Sequence, residues 1–218
     1  MNNAKADIFA AIAKARPAKT KDAVAIAAQA NELAAAMREF RPPAEGDDLV
    51  DLFMARASSE KVGASIERVD ALGALPGAVA RYSRANGLGT DFSLQPDAGL
   101  ERLDWGAMKP SREIAPDTIL AVGIARSGVA ETGTLVFHSD PEAPTLFAFL
   151  PDHHIVAIEA QKIRRWLEDY AIAEIGTVAP RNVNLVTGAS GTTDIEGVLV
   201  RGAHGPRSLH IVIIGNAC

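Results

Sequence analysis

Between residues 188 and 207 the chain reads GASGTTDIEGVLVRGAHGPR, a mixture of glycines, hydroxyls, carboxylates, one imidazole and one guanidinium. Gly188 and Gly205 let backbone N–H groups converge, while Ser190, Thr192, Asp194, Glu196, His204 and Arg207 supply directional polar groups. Residues 182–187 read as a buried strand, and Asp194 falls where a short helix would start. Strand, Gly-rich loop and helix N-terminus together can cradle an anion, because the first helical N–H groups lack intrahelical acceptors. The segment matches neither the Walker A pattern nor GxGxxG. Thr192 and Thr193 also suit a helix cap, with Glu196 in the capping-box position relative to Thr193, which leaves Ser190 unexplained. Farther on, His204 precedes Gly205, Pro206 and Arg207. A histidine titrating near neutrality can serve as acid, base or ligand, and Arg207 offers a planar fork for carboxylate or phosphate. Ser190, His204 and Asp194 are the residue types of a nucleophilic triad, but no GxSxG elbow accompanies them.

A second group, Glu131, Thr132, Gly133 and Thr134, stands just before an apolar run. A carboxylate and two hydroxyls at a strand entrance can bind a ligand or position a nucleophile. The same four residues also make a turn in which the threonines bond to nearby groups and Gly133 takes an unusual dihedral. His153 and His154 adjoin Asp152, but neighbours in an extended chain point to opposite faces, so they do not share a metal. His210 alternates with apolar residues and reads as structural. Without HExxH or Cys/His spacing, no metal site is expected.

Composition bounds the function. The 218 residues carry a net charge of −5, which disfavours broad nucleic-acid binding. The single cysteine, Cys218, excludes an internal disulfide and falls short of the roughly four thiolates that hold an iron–sulfur cluster. No apolar stretch approaches the ~18 residues of a membrane span, and the basic, helix-like N-terminus lacks the apolar core of a secretory signal, so a cytoplasmic protein is expected.

Residues 1–61 read as a helical N-terminal extension, with Ala-rich stretches at 4–15 and 21–40 and a third helix opened by Asp47 or Asp48. Such an arm, poor in large side chains, suits packing on a neighbouring domain or subunit. From residue 62 to 218 the texture is that of an α/β domain. Strands are expected at 64–69, 117–124, 134–137, 154–159, 182–187 and 208–214, with helices at 70–84 and 161–175 and an irregular stretch at 86–116. Continuous apolar strands alternating with helices predict a predominantly parallel sheet covered on both faces.

ETGTLV at 131–136, FLPDHHIVAIEAQKI at 149–163 and GASGTTDIEGVLVRGAHGPRSLHIVII at 188–214, in that order, resemble the LUD-domain family and its lactate-utilization C-type members. The resemblance implies a Rossmann-like three-layer α/β fold similar to the NagB/RpiA/CoA-transferase group. It also implies a non-cluster component of bacterial L-lactate oxidation to pyruvate, with the iron–sulfur clusters on partner proteins and no cofactor on this chain. A C-type component is an accessory subunit in that scheme rather than a catalyst on its own. The alternative is a stand-alone enzyme or binding protein for a small organic acid, sugar phosphate or acyl thioester, with Glu131 as nucleophile or base. Where the family reads GPSRTADIE this chain has Ala189, Gly191 and Thr193, so the arginine of that loop is missing.

Overall fold

The computed structural model describes residues 4–15, 22–37, 46, 48–174, 180–193 and 199–215. The chain divides into two compact units, residues 1–43 and 44–218. The smaller holds helices α1 (Ala4–Ala15) and α2 (Ala23–Met37), and Ile8, Phe9, Val24 and Leu33 on them are exposed.

The larger unit opens with α3 (Leu49–Ala57). Asp48 caps it, its Oδ1 accepting from the backbone N–H groups of Val50 and Asp51 at 2.8 and 3.1 Å. Val50, Phe53 and Ala57 then recur at helical spacing on one fully buried face. The third helix expected in the N-terminal extension therefore packs into the core of the α/β unit, because this apolar face finds its cover there.

A six-stranded, wholly parallel sheet forms the centre. Its strands are β1 (Ser65–Val69), β2 (Asp91–Leu94), β3 (Lys109–Ser111), β4 (Leu120–Ile124), β7 (His153–Glu159) and β12 (Ser208–Ile214), in the order β1-β12-β7-β4-β2-β3. Side chains alternate across it. Val156, Ile158, Ile211 and Ile213 face a core shared with Val50 and Phe53, while Ile155, Ala157, Val212 and Ile214 face a second core. That second core is covered by α4 (Leu75–Ala85), which buries Leu75, Ala78 and Val79, and by the short α5 (Ala98–Glu101).

On the α3 side lies a second sheet of β5 (Ser127–Val129), β6 (Thr134–His138), β8 (Ile163–Arg164) and β9 (Val183–Val186), ordered β8-β5-β6-β9. The protein is thus an α/β fold in layers around a parallel sheet, as expected, with two strands in a different place. Residues 134–137 and 182–187 do not join the parallel sheet; β6 pairs antiparallel with both β5 and β9. The cause is the four-residue turn at 130–133, which is too short for the crossover that parallel pairing demands. As an edge strand, β9 is only partly buried. The helix expected from 161 begins later, as α6 (Leu167–Glu174), because Ile163 is drawn into β8 beside Gly128. Among the described residues no helix is long and apolar enough to cross a membrane.

Candidate functional site

The residues picked out in the sequence fall into two linked groups. Glu131, Thr132 and Gly133 form the tight turn from β5 to β6, and Thr134 opens β6. Thr132 Oγ1 lies 2.7 Å from Thr134 Oγ1, which lies 2.6 Å from Thr187 Oγ1 at the end of β9. This hydroxyl chain joins the turn to the Gly188 segment. Gly133 has φ +68°, and a Cβ there would sit 2.5 Å from the Ala57 backbone nitrogen, so the turn is pressed onto the end of α3. Glu131 Oε1 accepts from Leu167 N at 3.3 Å, placing a carboxylate at the N-terminus of α6. These contacts are those of a structural turn.

The Gly188 segment is not a loop leading into a helix at its start. Gly191–Thr193 form β10, paired antiparallel with β11 (Leu199–Arg201), while Asp194 and Glu196 lie outside the described residues, as does the helix expected at Asp194. Gly188 has φ +83° and abuts the Val62 carbonyl. Ser190 ties the two halves of the segment together. Its N–H donates to Pro206 O at 2.8 Å, its carbonyl accepts from Gly202 N at 3.1 Å, and its Oγ accepts from His204 N at 3.4 Å. The hydroxyl thus meets the backbone of His204, not its imidazole, and the imidazole stays exposed. Gly205 packs over Ser190, and Phe149 lies alongside. Thr192 is exposed on β10.

Arg207 takes part in something sequence reasoning missed. An open groove of about 680 Å³ runs between α4 and the amino ends of β1 and β12, lined by Ser65, Glu67, Arg81, Tyr82, Arg201 and Arg207 together with His210. Parallel pairing sets His210 of β12 opposite Ser65 of β1, and Glu67 shares their face two residues on. His210 Nδ1 lies 2.8 Å from Ser65 Oγ, its ring stacks on Tyr82 with centroids 4.6 Å apart, and its Nε2 is 3.8 Å from Glu67 Oε2. Tyr82 Oη in turn lies 2.9 Å from His153 Nδ1. Burial holds His210 below its ordinary pKa, with Glu67 opposing and Arg81 reinforcing that shift. Arg81 pairs with Glu67.

A second pair of cavities lies at the carboxyl ends of the parallel strands, where ligands of open α/β sheets usually sit. They measure about 280 and 370 Å³ and share Leu72, Ile124 and Glu159. Their cations are already matched, Lys162 with Glu159 at 3.6 Å and Arg126 with Glu174 at 3.0 Å.

His154, next to the His153 that meets Tyr82, points the other way and is buried against Phe137. Burial with no opposing charge lowers its pKa to about 4. Its folded-state value thus lies below the ordinary 6.5, so between these values the unfolded chain takes up a proton that the folded chain refuses. Stability is therefore flat above that window and falls as pH drops through it, by up to ~3 kcal/mol from this group. Urea titrations at pH 7 and pH 4 are expected to show the His154→Leu variant losing less stability than the parent by about that amount. Equal losses would rule out His154 as the source.

Residues 93–214 match the LUD domain. This chain belongs to the LUD domain family. The match covers the chain from β2 to the end of β12 and includes the 188–207 segment, but not Ser65, Glu67, Arg81 or Tyr82. The chain is 30% identical over 183 residues to an uncharacterized protein of Neisseria meningitidis serogroup B, covering 82% of this chain and 66% of that protein. It is 32% identical over 89 residues to lactate utilization protein C of Deinococcus radiodurans, covering 40% and 42%, and 29% identical over 172 residues to lactate utilization protein C of Geobacillus thermodenitrificans, covering 74% and 72%. The chain spans less than two thirds of the length of the first two of these relatives. In fold it is similar to the crystal structure of a DUF162 family protein from Deinococcus radiodurans, with a TM-score of 0.56 and 17% identity over 79% of this chain and 100% of that one.

Proposed function

We propose that this chain is the non-cluster component of a bacterial L-lactate oxidation system that yields pyruvate, acting in the cytoplasm with iron–sulfur partner proteins. The two electrons leaving L-lactate pass to clusters on the partners, since the one cysteine here is too few to hold a cluster. Relatives bearing the name lactate utilization protein C support the pathway.

The observation that carries the accessory role is how the family segment folds. Glu131 meets the first turn of α6, the threonine hydroxyls meet one another, and Ser190 is held by the backbone at 202–206. These groups hold a shaped surface in place, and none is paired as nucleophile and base. Beside Gly205 stands Phe149, 40% exposed, and three residues before it in the chain Leu146 is 52% exposed, apolar side chains suited to contact with a partner subunit.

Co-expression with candidate iron–sulfur partner proteins from the same organism should give a complex that co-elutes on gel filtration. Leu146→Glu with Phe149→Glu is expected to weaken that association about tenfold or more while leaving the fold intact. Failure of the unaltered chain to co-elute would count against the role.

A further inference from the structure

The groove between α4 and the amino ends of β1 and β12 holds polar groups that the accessory role leaves unused. Three arginines and one glutamate line it, an excess of positive charge on a chain whose net charge is −5. Arg81 is matched by Glu67. Arg201 and Arg207 make no hydrogen bond or ion pair among the described residues, and both are exposed to the groove. Their placement is built in. Gly63, at φ +70°, leaves room for the Arg201 guanidinium, whose nitrogen would lie 3.2 Å from a Cβ at that position. Gly202, at φ +81°, does the same for the stem of Arg207, 3.2 Å from the corresponding point.

A second feature points to a ligand independently of charge. His210 is only 6% exposed, yet its Nε2 has no hydrogen-bond partner, although Nδ1 is bonded to Ser65. Buried polar atoms are nearly always satisfied, and this one has only the Glu67 carboxylate, 3.8 Å away and beyond hydrogen-bond reach, so a polar group brought to the groove wall would complete it. The open groove, about 680 Å³, is more than a three-carbon acid fills.

We propose that this groove binds a small phosphorylated or carboxylated metabolite larger than lactate, with Arg201 and Arg207 gripping its acid group and His210 and Ser65 meeting a polar group of its body. Planar guanidinium forks suit both anions, and a positive cleft on an acidic protein draws them in. The groove lining does not include Leu146 or Phe149, and the proposal does not rest on the lactate assignment.

Isothermal titration of the full chain at low ionic strength, with pyrophosphate in one arm and citrate in the other, tests this. Saturable binding of at least one probe is expected, with the responsive arm identifying phosphate or carboxylate as the preferred group. Arg201→Gln/Arg207→Gln should weaken it about tenfold or more, whereas the charge-matched Arg102→Gln/Lys109→Gln should change it by less than about twofold. The His210 imidazole resonances should shift during the same titration. No saturable binding of either probe, or equal weakening by the two double variants, overturns the proposal. All four positions are exposed, so folding is preserved; should one pair fail to fold, its single variants give the same comparison.

Discussion

Phe53→Ala is expected to destabilise the α/β unit by about 3–5 kcal/mol, the usual range for removing a buried aromatic ring. Phe53 is fully buried in the cluster that joins α3 to Val156, Ile158 and Ile211 of the parallel sheet and to Leu135 of the second sheet. Its ring also lies 3.2 Å from the point where Gly128 would carry a Cβ, and Gly128 has no side chain with which to fill the space. The same substitution at Phe9 of α1, 60% exposed, should change stability by less than about 0.5 kcal/mol. Urea denaturation followed by tryptophan fluorescence separates the two. Similar small effects at both sites would mean that α3 belongs with the N-terminal helices rather than with the sheet.

Gly188→Ala is expected to be the most damaging single-methyl change in the family segment. At φ +83° an L side chain is strained whatever the space around it, at a cost of roughly 1–2 kcal/mol. Here the added Cβ would also run into the Val62 carbonyl, and Val62 O already accepts from Ala189 N at 3.3 Å. Either the 188–190 backbone or the 59–63 turn must move, and Gly63 of the latter lines the groove. A total of about 3 kcal/mol follows, or a melting point lower by about 6–12 °C for a unit of this size. Gly87 provides the contrast: φ is +65° but nothing lies within 4 Å of a Cβ there, so Gly87→Ala should cost only the dihedral term. Equal losses at Gly188 and Gly87 would contradict the packing described.

Much of the architecture was legible because it rests on local pattern. The apolar runs at 120–124, 154–159 and 208–214 are too continuous for a half-solvated strand and became the middle of the parallel sheet. The helix expected within 70–84 covers it, burying Leu75, Ala78 and Val79. Pattern fails where pairing partners decide the outcome. The run at 134–137 looks the same whether it joins a parallel or an antiparallel sheet, and only the tight Ala130–Gly133 reversal selects the latter. Ile163 fits a helical stripe as well as a strand, and Gly128 decides the matter by offering a neighbouring strand to pair with.

The site divides in the same way. Glu131, Thr132, Gly133, Thr134, Gly188 and Ser190 were found by composition and do lie close together, through the Thr134 to Thr187 contact and its neighbours. Their roles are more structural than their chemistry promised, since each polar group is met within the chain. The groove went unseen because it is assembled across great sequence distance. Ser65 and His210 stand 145 residues apart, and Tyr82 comes from a third element. One signal was available: Ser65 and Glu67 place two polar groups on one face of β1, and His210 interrupts the apolar run of β12. Arg207 was picked by type and lines the groove, whereas Arg201, six residues before it and across the 202–206 turn, was not picked.

Growth of a deletion strain on L-lactate tests the central claim most directly. In a host lacking other L-lactate dehydrogenases, removing the gene for this chain should abolish growth on L-lactate, leave growth on pyruvate unchanged, and be reversed by restoring the gene. Undiminished growth on L-lactate without it would contradict the account.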